Sequence, residues 1–169
     1  MHYTSTFFGN IRLDYANGLL HNLPQRLTRR MERVQRSAAR IICRLDRRQR
    51  VSMTEVLHDL HWLPVTSRIQ YKLLTLTFKA LRTGTPKYLS DLLKPYRSGR
   101  HTRSQGPLAP DRLEKPAHKG VRMGGRSFSV TAPHLWNQLP GNIRNIKSID
   151  TFKKQLKTYL FREHYYGSR

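Results

Sequence analysis

Seven apolar residues, Leu27, Met31, Val34, Ala38, Ile41, Ile42 and Leu45, recur mostly at alternating spacings of four and three. A stretch with this period gathers its apolar residues on one side only as an α-helix. At about 100° per residue they cluster within about 50° of one direction. Arg29, Arg33, Arg36, Arg40, Arg44 and Arg47 cluster around the opposite direction. The spacing predicts a helix over residues 23–45, with Pro24 near its start, one apolar face and one arginine face. Charged helix faces in contact with water usually mix signs. Here only Glu32 interrupts the cations before Asp46. Such a face suits the tracking of phosphates. A plain solvated face and a membrane-surface helix are the competing readings, and the second is weakened by the lack of bulky aromatics on the apolar side.

The rest of the chain is basic as well. Its 169 residues carry 32 Lys and Arg against 10 Asp and Glu, a net charge of +22. Residues 1–94 carry net +11, residues 95–127 net +6 and residues 128–169 net +5. This is not a basic tail on a neutral domain. Self-repulsion at this charge opposes compaction, and a polyanion relieves it. Nucleic acid is therefore the leading partner class. A mean hydropathy of −0.67, with no long apolar run, predicts no transmembrane helix. Residues 1–10 lack the pattern of a secretory signal. The expected location is intracellular, nucleus or cytoplasm. With one cysteine, Cys43, the chain has neither an internal disulfide nor a cysteine-rich zinc site.

Further helices follow. Ser52-Met53-Thr54-Glu55 has a capping-box pattern, and His61-Trp62-Leu63-Pro64 ends the helix that it opens. A helix from Thr66 or Ser67 to about Arg82 is apolar over most of its circumference through Ile69, Leu73, Leu74, Leu76, Phe78, Ala80 and Leu81, which makes it central. Gly84 suits the left-handed position after a helix. Pro86 opens a short helix that Pro95 stops. Residues 97–127 hold five glycines, three prolines and many cations, and read as a long basic loop or linker. A short hairpin between 108–112 and 121–128 is one way to pin it. A short helix around Leu135 and Trp136 ends at Pro140-Gly141. Ser148 caps a last helix whose Phe152, Leu156, Tyr159 and Leu160 share a side. The expected fold is mainly α. It is a small helical bundle over residues 1–96, a loop or short hairpin over 97–127, and a C-terminal helical segment, 128–169, packed on the first region.

The sequence offers little chemistry. It has no adjacent Asp-Asp pair of the two-metal polymerase kind, no phosphate-binding glycine loop and no nucleophile elbow. Cys43 sits beside the arginines with no histidine near it in sequence. His58 and His61 could share a helix face, but two ligands do not make a metal site, and packing or helix termination is the favoured reading. Trp62 and Trp136 read as core anchors in preference to base-stacking platforms. Tyr165-Tyr166 reads as a frayed tail, with base stacking the other option. No catalytic residue, metal or cofactor is expected.

Leu13-Asp14-Tyr15-Ala16-Asn17-Gly18-Leu19-Leu20 resembles the L-D-Y-C-N-S-L-L segment of LINE-type (non-long-terminal-repeat) retrotransposon reverse transcriptases. The resemblance continues through Glu32 to Arg40, Leu60-His61-Trp62-Leu63-Pro64-Val65, Arg68-Ile69 and Phe78-Lys79-Ala80-Leu81. It extends over Pro86 to Leu93, Arg126 to Val130, Ala132 to Pro140 and Ser148 to Phe161, and covers about residues 11–162 in order. Ala16 and Gly18 depart from the pattern, as does the loop around 111–120.

In that family these motifs lie downstream of the catalytic palm, in the thumb and the extension after it. The resemblance therefore implies a thumb-like piece without the metal-binding aspartates, an expectation that it cannot polymerise DNA alone. Its partners would be RNA or DNA in a template–primer duplex, gripped without sequence specificity, and the missing palm region. The expected contacts are Arg29, Arg33, Arg36, Arg40, Arg44, Arg47, Arg103, Arg122, Arg126, Lys153 and Lys157. Other readings are a host-recruited basic RNA- or protein-binding protein, an inert relic of a truncated element, and a polymerase subunit whose palm is supplied in trans.

Overall fold

The computed structural model describes residues 21, 24–46, 48–96, 112–116 and 127–167. Among these the chain is mainly α-helical, as the periodicity predicts, and contains no strand. The helices are α1 (Gln25–Ile42), α2 (Met53–Asp59), α3 (Val65–Thr83), α4 (Lys87–Ser90), α5 (Phe128–Gln138), α6 (Gly141–Arg144) and α7 (Ile149–Tyr166).

The chain divides into two compact units, Met1–Lys72 with Lys157–Arg169, and Leu73–Leu156. Both boundaries fall inside helices, α3 and α7. This differs from a division at residue 96 because composition tracks charge and turn formers, whereas packing follows the apolar faces.

In the first unit, Ala39, Val56, Leu57 and Trp62 form a buried cluster, flanked by Ala38, Ile42, Leu45, Val51, Met53, Leu60 and Tyr165. Two alanines on α1 leave room for the α2 side chains to come close. Ser52 holds the N-cap position of α2, but its side chain makes no capping bond. The expected capping box is therefore not formed.

Both α1 and α2 close in the same way. Arg44 N–H donates to the Ile41 carbonyl at 3.2 Å and Leu45 N–H to the Arg40 carbonyl at 2.9 Å. His61 N–H donates to the His58 carbonyl at 2.8 Å and Trp62 N–H to the Leu57 carbonyl at 2.9 Å. These bonds satisfy carbonyls that a helix end leaves open. They require a left-handed residue, and Arg44 (φ 52°) and His61 (φ 53°) supply it, as Gly84 (φ 64°) does after α3. A side chain with a Cβ is strained there. Arg44 is exposed, so Arg44→Gly is expected to stabilise the chain by about 1 kcal/mol. A thermal melt checks this as a rise of about 2–4 °C.

In the second unit, Phe78 of α3 stacks on Phe152 of α7 with ring centres 4.3 Å apart, and Trp136 of α5 lies 5.9 Å from Phe152. All three are buried. Asn137 clamps the buried Leu113: its Oδ1 accepts from Leu113 N–H at 2.9 Å, and its Nδ2 donates to the Leu113 carbonyl at 2.7 Å. Leu113 is in turn bridged antiparallel to Pro95. Tyr96 N–H donates to the Arg112 carbonyl at 2.9 Å, and Glu114 N–H to the Lys94 carbonyl at 2.8 Å. The ends of the expected 108–112 and 121–128 hairpin thus take other roles, since Arg112 pairs with Tyr96 and Phe128 opens α5. Residues 108–111 and 121–126 lie outside the described residues.

Candidate nucleic-acid interface

The face that α1 buries is not the one that its apolar residues mark. Gln35 (1 % exposed) and Ala39 (0 %) lie at its centre, while Val34 (58 %) and Ile41 (77 %) face outward. At about 100° per residue this is a turn of roughly 90° from the apolar direction. The cause is a polar anchor. Gln35 Nε2 donates to the Leu63 carbonyl at 2.8 Å across a buried contact. That carbonyl sits in the turn before α3 and would otherwise lack a donor, which is costly inside a protein.

The turn re-sorts the arginines. Arg29, Arg33 and Arg36 remain exposed on α1, and Arg29 Nη2 donates to Gln25 Oε1 at 3.1 Å. Arg26 and Arg30, which the apolar wheel leaves out, are exposed on the same arc. Arg40 leaves the row: it is half-buried, with Nη1 donating to the Asp46 carbonyl at 2.9 Å and Nη2 to the Gln49 carbonyl at 3.3 Å. It ties the chain after α1 to the helix end. Arg44 lies past the helix, in the left-handed turn. Arg47, Arg103, Arg122 and Arg126 lie outside the described residues. Lys153 is half-buried and belongs to the second unit, and Lys157 is exposed and belongs to the first. The described row is therefore Arg26, Arg29, Arg30, Arg33 and Arg36. Among the described residues, no Asp or Glu pairs with any of them.

Both tryptophans sit inside the fold. Trp62 and Trp136 are 4 % and 2 % exposed, which places them in cores and not on a stacking surface. Tyr165 is no frayed tail. Its OH donates to the Trp62 carbonyl at 2.9 Å. His58 Nε2 lies 2.7 Å from the Tyr166 OH and its Nδ1 3.3 Å from Asp59 Oδ1, and its ring packs against Phe161 and Tyr165. His61 stacks on Phe161. Among the described residues, no group of three or more His, Cys, Asp or Glu could hold a metal ion, and no helix is long and apolar enough to cross a membrane.

Burial pushes the Tyr165 phenol up to about 12. Its raised value means that its contribution is fully present below pH 10 and is lost as pH rises from about 10 to about 12. Denaturant midpoints measured across that range should fall more steeply for the native chain than for Tyr165→Phe. At neutral pH, Tyr165→Phe should cost about 1 kcal/mol, because the Trp62 carbonyl loses its donor.

No family model, no curated protein sequence and no solved structure matches this chain.

Proposed function

We propose that this chain is a non-catalytic nucleic-acid-binding piece of the LINE-type reverse-transcriptase kind, which holds the backbone of a template–primer duplex without reading its sequence. The observation that carries this reading is the exposed row Arg26, Arg29, Arg30, Arg33 and Arg36 on α1. At 1.5 Å per residue the row runs about 15 Å along the helix, long enough to meet several phosphates of one duplex. Guanidinium groups match phosphate oxygens through paired N–H donors. Such contacts fix position and carry no base information. The resemblance across residues 11–162 and the net charge of +22 support the same reading. The palm region of such an enzyme is its natural neighbour.

Anisotropy titrations against duplexes of equal length and unrelated sequence test the proposal. Affinities within a few-fold of one another are expected. A strong preference for one sequence, or no binding at low salt, would overturn it. Metal-dependent primer extension by the pure chain would overturn the non-catalytic part.

A further inference from the structure

The apolar strip that the sequence marks on α1 is left facing outward by the fold. Leu27, Met31, Val34, Ala38 and Ile41 follow one another at spacings of four, three, four and three. That is the heptad repeat by which one helix packs along another. Val34 is 58 % exposed and Ile41 77 %, while Leu27, Met31 and Ala38 are half-buried. The buried residues of α1 are instead Gln35 and Ala39. At 1.5 Å per residue the strip runs about 21 Å along the helix. Single exposed apolar residues need no explanation, but an ordered strip of them marks a surface that gains by being covered.

The charges beside the strip select its cover. Arg30 is the next residue to Ile41 round the helix, about 20° away, and Arg26 and Arg33 follow on the same side. All three are exposed. Glu32 is the single acid on α1, and it lies about 140° from the centre of the strip. A second copy of this chain would therefore bring arginines and no carboxylate to that edge. The repeat also opposes self-pairing. Parallel two-stranded coils favour β-branched residues at a and leucine at d, whereas Met31 and Ala38 hold the a positions here and Val34 and Ile41 the d positions. A lipid surface fits poorly as well, because the strip has no tryptophan or phenylalanine to seat in it.

We propose that this strip docks an amphipathic helix of a partner protein, with apolar heptads facing Leu27 to Ile41 and carboxylates facing Arg26, Arg30 and Arg33. Guanidinium forks donate paired bonds to carboxylates, which fixes the register of the partner. A bulky side chain opposite Ala38 fills the space that the alanine leaves. The three arginines are shared with the row proposed to hold a duplex. The apolar strip is not, so the docking surface does not rest on that reading.

The probe is a fluorescent synthetic peptide of about three heptads, with leucine at a and d and glutamate at e and g. Its glutamates keep it from pairing with itself at neutral pH. The control is an isomer of equal composition with the leucines spread round the helix. Titrated with the full chain, the heptad peptide should bind at least about tenfold more tightly than the isomer. Val34→Ser together with Ile41→Ser should erase that difference. Serine is close to valine and isoleucine in helix propensity, and both sites are exposed, so circular dichroism should show α1 intact. If the double variant does not fold, Ile41→Ser alone should weaken the heptad peptide about tenfold, and an unchanged affinity overturns the proposal. Equal binding of the two peptides by the native chain would mean that charge alone holds them, and would overturn it too. Duplex affinity of the double variant should match the native chain, since no cation is removed. A fall would assign the strip to the duplex grip and refute a protein partner. A concentration-dependent dimer, or binding to anionic vesicles, that the double variant loses would put a second copy or a membrane on the strip and would equally refute it.

Discussion

Phe152→Ala should destabilise the second unit by about 3–5 kcal/mol and lower its melting temperature by about 10 °C. Phe152 is 0 % exposed. It stacks on Phe78 at 4.3 Å and lies 5.9 Å from Trp136. The three rings belong to α7, α3 and α5. Truncation leaves a ring-sized void whose walls are rigid planes fixed on separate helices, so the gap cannot close by a small side-chain shift. Lost burial and the cavity therefore both count in full. Phe152→Leu keeps most of the volume and should cost less than half as much. Tyr88→Ala, at a site 70 % exposed, should stay within about 0.5 kcal/mol of the native chain. Urea titrations of the three variants check the order. A loss below about 1.5 kcal/mol for Phe152→Ala, half the usual minimum for such a truncation, would mean that the aromatic stack is not the core of this unit.

The long helices were legible because their apolar residues recur with the helical period. Ile69, Leu73 and Phe78 of α3 and Phe152, Leu156 and Leu160 of α7 are all buried. Gly84 was legible as a left-handed turn because glycine adopts that conformation without strain. Arg44 and His61 make the same kind of turn, and nothing in their residue type announces it. The direction in which the chain must leave α1 and α2 decides it, and that depends on Leu45 and Trp62 reaching the core. The bridge between Pro95 and Leu113 was equally hidden. It joins segments too short to show a strand period, and the residue that fixes it, Asn137, lies 24 positions away.

The candidate interface was half legible for a related reason. A hydrophobicity wheel weights bulky side chains, so Val34 and Ile41 drew the predicted face toward themselves. Packing instead rewarded the small Ala38 and Ala39, which permit close approach, and Gln35, which carries a donor to the Leu63 carbonyl. Gln35 did leave a sequence signal. It is an uncharged polar residue within an arginine-rich run, four residues before an alanine. The same turn of the helix brings Arg26 and Arg30 into the exposed row, whereas Arg40 is drawn out of it by the Asp46 and Gln49 carbonyls of the following loop.

That re-sorting makes the test of the interface specific. Neutralising Arg26, Arg29, Arg30, Arg33 and Arg36 together as glutamine should weaken duplex binding about a hundredfold or more at low salt. Each phosphate neutralised by the native row releases a condensed counterion, and five contacts imply a log–log salt slope of roughly −4.5. The five-site variant should lose most of that slope. Glutamine is close to arginine in helix propensity, and all five side chains are exposed, so circular dichroism should show α1 intact. Arg40→Gln should behave in the opposite way. It removes the donors to the Asp46 and Gln49 carbonyls and should lower stability while leaving the salt slope within about one unit of native. A five-site variant that keeps its slope would place the grip elsewhere. An Arg40→Gln variant that loses the slope without losing stability would restore Arg40 to the row and refute its role as a tie.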